Sequence, residues 1–227
     1  MNWFAENWQQ LLAYTAAHVG LSIPPIVVGF ALSLPLGWLA NRYRASRGIL
    51  LSGAGILYAI PSLPLFVLLP SIIGTKILDP MNVEVALSLY ALALMLRTTA
   101  DGLAAVDGDV KLSATAVGYG AWRRFFGVEL PLAGPVLLAG LRVVSVSTVS
   151  LVTIGSVIGV NSLGFYFLDG YQRDFPLEVW VGIVGTLIIA LVFDGVLTLG
   201  GRLLMPWTTG RAARRAMRKV SMAAVNA

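Results

Sequence analysis

The chain has no cysteine and a single histidine, His18. Without cysteine there is no disulfide framework, no thiolate metal site and no thiol nucleophile. One histidine builds neither a metal cluster nor a Ser-His relay. No Gly-x-x-x-x-Gly-Lys-Ser/Thr run occurs, so nothing in the sequence grips a nucleotide phosphate. Charge is also scarce: 12% of residues are charged and 57% are hydrophobic, against about 25% charged in ordinary soluble domains. That composition excludes a soluble enzyme. The 227 residues leave room for about five or six membrane spans of roughly 20 residues each.

The few charges are arranged. Arg42, Arg44 and Arg47 form one basic cluster. Arg97, Lys111, Arg123 and Arg124 form a second, and Arg202, Arg211, Arg214, Arg215, Arg218 and Lys219 a third. These sit in alternate connections, while the connections between them hold only Lys76 and Arg173. This asymmetry is the positive-inside pattern of a membrane protein. It accounts for the net charge of +5 without invoking nucleic acid.

Taken in order, residues 1–17 hold no Lys or Arg and lack the charged start of a signal peptide. Trp3, Phe4, Trp8, Leu11 and Leu12 share one helical face, which predicts an external interfacial helix or, failing that, a disordered end. Residues 18–207 form the membrane domain. Its first span covers about 18–40. The second, about 49–73, contains Tyr58, Pro61, Ser62 and Pro64, and two prolines three apart predict a kinked or broken helix. Such a break either lines a polar pathway or is a packing kink. The third span begins at Val83. The fourth, about 132–158, puts Ser145, Thr148, Thr153 and Ser156 on one broad face. These hydroxyls line a polar route or bond back to the helices, the commoner use. Residues 159–178 form the longest outer connection, polar enough to dock something outside. The last span, about 179–204, carries Asp194, a carboxylate expected to serve structure, neutral or paired with an arginine. A basic cytoplasmic tail, 208–227, follows. Five spans put the N-terminus outside, the C-terminus inside and all three basic clusters on one side.

The stretch between the third and fourth spans, within 108–130, carries the most pattern. Leu112, Ser113, Ala114, Thr115 and Ala116 run up to a Gly118-Tyr119-Gly120 break. An amphipathic run, Trp122 to Phe126, leads to Leu130-Pro131. Small residues ending in glycine predict a short helix with a sharp reversal, since glycine adopts φ > 0 freely. Pro131 suits the first turn of the next helix.

This stretch resembles the cytoplasmic coupling loop of ABC importer permeases, whose pattern is Glu-Ala-Ala, three residues, Gly and, further on, Leu-Pro. Aligning on Leu130-Pro131 places the family glycine on Gly118 and the Glu-Ala-Ala on Leu112-Ser113-Ala114, so a leucine stands at the acidic position. Ile60-Pro61-Ser62-Leu63, Leu96-Arg97-Thr98-Thr99, Ala139-Gly140-Leu141-Arg142, Thr153-Ile154-Gly155, Leu163-Gly164 and the segment ending Pro206-Trp207 look like the quaternary-amine (glycine betaine, choline, carnitine, osmoprotectant) branch. The glycine-rich run this branch has before Leu-Gly is Gly159-Val160-Asn161-Ser162 here.

The resemblance implies an all-α type I ABC importer permease fold of about five transmembrane helices in a bacterial inner membrane. It implies two ATPase subunits, a second permease subunit (copy or paralogue) and an external substrate-binding protein. This chain would bind no cofactor of its own, ATP and Mg belonging to the ATPase. The alternatives are a permease for another small polar solute such as an amino acid, or a secondary transporter or channel needing no ATPase. An intramembrane enzyme fits poorly with one histidine and no cysteine.

Overall fold

A computed structural model of the chain describes residues 3–208. Helix α1 runs unbroken from Trp3 to Arg42 with Pro24, Pro25 and Pro35 inside it. At 1.5 Å per residue it is about 60 Å long, twice the roughly 30 Å hydrocarbon core. The external helix expected for residues 1–17 is therefore the projecting end of the first span, with no break at residue 17. Its tip is held by a partner far away in sequence: the Trp3 indole N–H donates to Glu178 Oε1 at 2.9 Å.

Helix α2 (Arg44–Ala59) and helix α3 (Ser62–Ile73) occupy the stretch expected as the second span and are bent by 104° at Ile60-Pro61. Proline removes an N–H and disfavours a helical residue before it, so the break frees carbonyls that lipid cannot satisfy. One is repaired from the next helix, where the Tyr90 hydroxyl donates to the Ile60 carbonyl at 2.6 Å. Tyr90→Phe should therefore cost about 1–3 kcal/mol, the usual cost of an acceptor left unpaired where water is scarce. Thermal unfolding in detergent should show a lower midpoint with unchanged helix content.

Helix α4 (Pro80–Ala104) is the centre of the molecule. Asp79 caps it, accepting from the Met81 N–H, and Pro80 takes the first turn where no donor is missed. Val83, Ala86, Leu87, Met95 and Ala100 are wholly buried. Its most extensive contact is with α1, and the two backbones approach closely at Gly29. A Cβ built there would lie 2.5 Å from Ala91 Cβ and 2.8 Å from the backbone beyond it. The seam is pinned further along by Ser33 Oγ on Thr99 Oγ1 at 3.0 Å, and by Asn41 Nδ2 donating to the Ala100 carbonyl at 2.7 Å.

Two short helices follow, α5 (Gly108–Ala116) and α6 (Ala121–Arg124). From α6 the chain continues without a turn through a π-helical segment, Phe125–Glu129, into α7 (Leu130–Val152) and a 3-10 turn, Thr153–Ile158. Pro131 is therefore in the first turn of α7, as its ring prefers, but inside a continuous helical run. The expected outer connection contains its own helix, α8 (Phe165–Gln172), before α9 (Pro176–Leu204) closes the fold.

Every regular element among the described residues is helical. Four helical stretches are long and apolar enough to cross a membrane, five with the bent α2–α3 pair counted as one span. At one end of the bundle Arg47 bonds Asp101 and Asn41, each at 2.6 Å. At the other, Arg173 bridges Asp169 and Glu178. Hydrogen bonding to Glu178 holds the Arg173 guanidinium above its ordinary pKa, and burial pushes the nearby Tyr166 hydroxyl up to about 12. Most of the expected basic tail, 209–227, lies outside the described residues.

Candidate functional site

The loop between α4 and α7 is built by local rules. Asp107 caps α5, accepting from the Asp109 N–H at 2.8 Å. At the other end the Tyr119 N–H donates to the Ala114 carbonyl and the Gly118 N–H to the Thr115 carbonyl, each at 3.0 Å. That pair of bonds is a Schellman motif with Gly118 at its left-handed position, and its φ is +89°. A Cβ on Gly118 would meet nothing within 4 Å. Glycine is needed there for the backbone angle, not for space. Gly120 differs: it precedes α6 with φ −67°, which any residue adopts. Of the two glycines in the break, only Gly118 makes the reversal.

The loop is tied to the span roots from three directions. Lys111 Nζ donates to the Leu103 carbonyl at the end of α4, 3.1 Å away. Arg124 donates from Nε to Glu129 Oε1 at 2.7 Å and from Nη1 to Thr115 Oγ1 at 3.0 Å. One guanidinium thus joins α5 to the base of α7. Trp122 stacks on Trp38 of α1 with ring centres 5.7 Å apart, and Phe126 stacks on Trp122. Phe125 points inward, buried in the cluster of Met95, Leu103, Val106 and Ala133.

What remains outside is apolar. Leu112 is 70% exposed, Val117 75%, Trp122 67% and Phe126 57%. Ser113, Thr115, Ala116, Gly118 and Gly120 are exposed, Ala114 is buried, and Leu130 and Pro131 are half-buried at the foot of α7. The structure places Leu112 to Gly120 in the loop and Leu130 and Pro131 at the start of α7. Leu112, at the position where a glutamate was the pattern, belongs to its exposed apolar surface.

The expected pathway residues fall into two groups. Tyr58 and Pro61 are exposed at the α2–α3 break, with Ser62 half-buried beside them. The hydroxyl row on the fourth span is mostly turned inward: Ser145, Thr148 and Ser156 are buried. Ser156 Oγ sits 3.0 Å from Ser162 Oγ, and Thr153 Oγ1 donates to the Ser150 carbonyl at 2.6 Å. In this chain Ser156 bonds within the packing, Thr153 is half-buried, and Ser145 borders an apolar groove beside Val19 and Ile23. The open face of α7 is its other side, Ala139, Arg142, Val143, Val146 and Ser147, spaced at i, i+3, i+4, i+7 and i+8 as one helical stripe.

Arg142 on that stripe pairs with Asp194 of α9 through two parallel bonds, Nε to Oδ1 at 2.6 Å and Nη2 to Oδ2 at 2.7 Å. The carboxylate in the last span is thus paired. The sequence offered an arginine partner for Asp194 in general terms, and an arginine about ten residues into the fourth span was the available signal for which one. His18 is wholly buried, with Nε2 3.0 Å from the Val149 carbonyl. Among the described residues no group of three or more His, Cys, Asp or Glu is placed to hold a metal ion.

Comparison with known proteins gives the family and the fold. The profile of the family described as "Binding-protein-dependent transport system inner membrane component" matches residues 33–204. The glycine betaine/carnitine/choline transport system permease protein OpuCB of Bacillus subtilis is 28% identical over 206 residues, 91% of this chain and 94% of that one. The choline transport system permease protein OpuBB of the same organism is 30% identical over 200 residues, 88% of this chain and 91% of that one. The fold matches a subunit of the inward-facing MetNI methionine ABC transporter, with TM-score 0.69 at 20% identity, covering 88% of this chain and 96% of that one. An amino acid ABC transporter crystallised with histidines gives TM-score 0.72 at 16% identity, covering 88% and 96%. The fold is that of a type I ABC importer permease, and the protein is a multi-pass component of the bacterial inner membrane. With the profile covering most of its length, the chain belongs to the binding-protein-dependent transport system inner membrane component family.

Proposed function

We propose that the chain is the membrane-spanning subunit of an ATP-driven importer of small quaternary-amine osmoprotectants of the glycine betaine, choline or carnitine kind. It is a transport component whose family works with an ATPase and a binding protein. The finer assembly, two ATPase subunits, a second permease subunit and one external binding protein, belongs to this proposal. So do ATP and Mg in the ATPase, and the orientation with the α5–α6 loop in the cytoplasm and Trp3 outside.

The observation that carries the reading is the loop itself. Leu112, Val117, Trp122 and Phe126 are all exposed apolar side chains on or next to a short helix pair, α5 capped by Asp107. Exposed apolar patches of this kind mark interaction sites. Through Arg124, Glu129 and the unbroken α6–α7 run, force on the loop passes into a spanning helix. ATP moves the equilibrium only by favouring the closed ATPase over the open one; the loop carries that preference into the membrane. The broken α2–α3 span, with Tyr58 and Ser62 at its bend, is the proposed moving wall of the path.

The substrate class rests on the relatives' names, and uptake tests it. Cells with and without the chain are given labelled glycine betaine, choline, carnitine and methionine under osmotic stress. Loss of uptake of at least one quaternary amine is the expected result. Unchanged uptake of all three, with methionine uptake lost, would transfer the substrate to the amino-acid class.

A further inference from the structure

Among the described residues the carboxylates of Asp101, Glu129, Asp169, Glu178 and Asp194 are ion-paired, and of these only Asp194 lies ten or more residues from both ends of its helix. The side chain of Glu129 is 9% exposed and that of Glu178 4%, so both pairs are tucked into the packing. Asp194 is 29% exposed and its partner Arg142 43%. The pair also lies deep. Arg142 stands about 18 Å along α7 from Leu130, and Asp194 about 15 Å along α9 from Leu204, at 1.5 Å per residue. Both depths are near the middle of a roughly 30 Å core.

A half-open charge pair at that depth does not stay against hydrocarbon. Ionisable groups in spans face the interior of an assembly or a water-filled cavity. The pair opens onto a cavity of 380 Å³ lined by Ala139, Val143, Val146 and Ser147. These are small or short side chains that leave the charges uncovered. Val196, two residues beyond Asp194 and so about 200° round α9, lines an apolar groove with Val27 and Phe193 instead. The two sides of α9 thus carry different linings, one with the charge pair and Ser147, the other apolar apart from Ser145.

From this we infer that the Arg142–Asp194 face is a water-filled wall of the solute path, offering both signs of charge to a small zwitterion as it passes. The inference rests on the importer reading for the existence of a path, and on this geometry for where the path runs. A bidentate pair presents a carboxylate oxygen edge and a free guanidinium nitrogen side by side, which a solute carrying a cationic and an anionic end can meet together.

The absence of native cysteine makes the test direct. Ser147→Cys, Val143→Cys and, as the apolar-side control, Val196→Cys are introduced singly into the assembled importer in inverted vesicles. Each is exposed to a permanently charged, water-soluble methanethiosulfonate without ATP, with ATP, and with ATP plus vanadate. Ser147→Cys and Val143→Cys should label at least tenfold faster than Val196→Cys in one or more of these states. Millimolar glycine betaine should slow the labelling at least threefold in the fastest state. Equal rates at all three positions would overturn the inference, as would ready disulfide cross-linking of Val143→Cys between copies without reagent labelling. Fast labelling that no zwitterionic solute slows would overturn the contact with solute. Labelling is read without transport, so its failure is separate from a failed uptake assay.

Discussion

Gly118→Val is expected to reach the membrane in normal amount and to transport at less than one tenth of the wild-type rate, while the partner ATPase hydrolyses ATP without uptake. The reason is conformational. At φ +89° an L-residue pays about 1–2 kcal/mol, and a β-branched one is a clear outlier there. Since about 1.4 kcal/mol is tenfold in population, the correctly reversed loop becomes a minor state. Nothing stands within 4 Å of the added Cβ, so there is no clash to spread into the spans. Two companions sharpen the test. Gly118→Asn should retain more transport, because asparagine tolerates the left-handed region. Gly120→Ala should transport like wild type, its φ of −67° being ordinary. Wild-type uptake by Gly118→Val with coupled hydrolysis would remove the loop from the mechanism.

Gly29→Val is expected to remove most of the folded protein. The added Cβ would sit 2.5 Å from Ala91 Cβ and 2.8 Å from the α4 backbone, and backbone cannot swing aside as a long side chain does. Overpacking typically costs about 1–3 kcal/mol. Here the obstacle is main chain in the most buried helix, so the upper end applies. Parting α1 from α4 would also stretch the Ser33–Thr99 and Asn41–Ala100 bonds. Monodisperse yield after detergent extraction should fall several-fold, whereas Gly20→Ala, with open space around it, should extract normally. Equal yields would show that α1 is not seated as described.

Most of the architecture was legible because its causes are local. Apolar runs long enough to span, basic residues in alternate connections and the Pro61/Pro64 break each leave a mark in the sequence. The Gly118 reversal does too, since a left-handed position selects its residue. What stayed hidden was what depends on distant partners. Trp3, Phe4 and Trp8 look like an interfacial helix because nothing near them says that Trp3 reaches Glu178, 175 positions on. On the fourth span two polar stripes compete, one through Ser145 and Thr148 and one through Arg142 and Ser147. Helical spacing finds both, but only the seating of α7 among its neighbours decides that the hydroxyls turn inward. The resemblance to ABC importer permeases came from short motifs in order, and it drew attention to the α5–α6 loop without showing that α6 runs straight into α7.

That continuity has a geometric consequence. In the Phe125–Glu129 segment the Leu130 N–H reaches back five residues to Phe125 rather than four, inserting one extra residue into the winding. One residue is about 100° of rotation, so everything before this point is swivelled by more than a quarter turn relative to a regular helix. The swivel is what aims Trp122 at Trp38. Deleting a single residue there would rewind the helix and point the foot elsewhere, with every contact residue still present. The compass bearing of the foot is thus set by a residue count, separately from the chemistry of its sole.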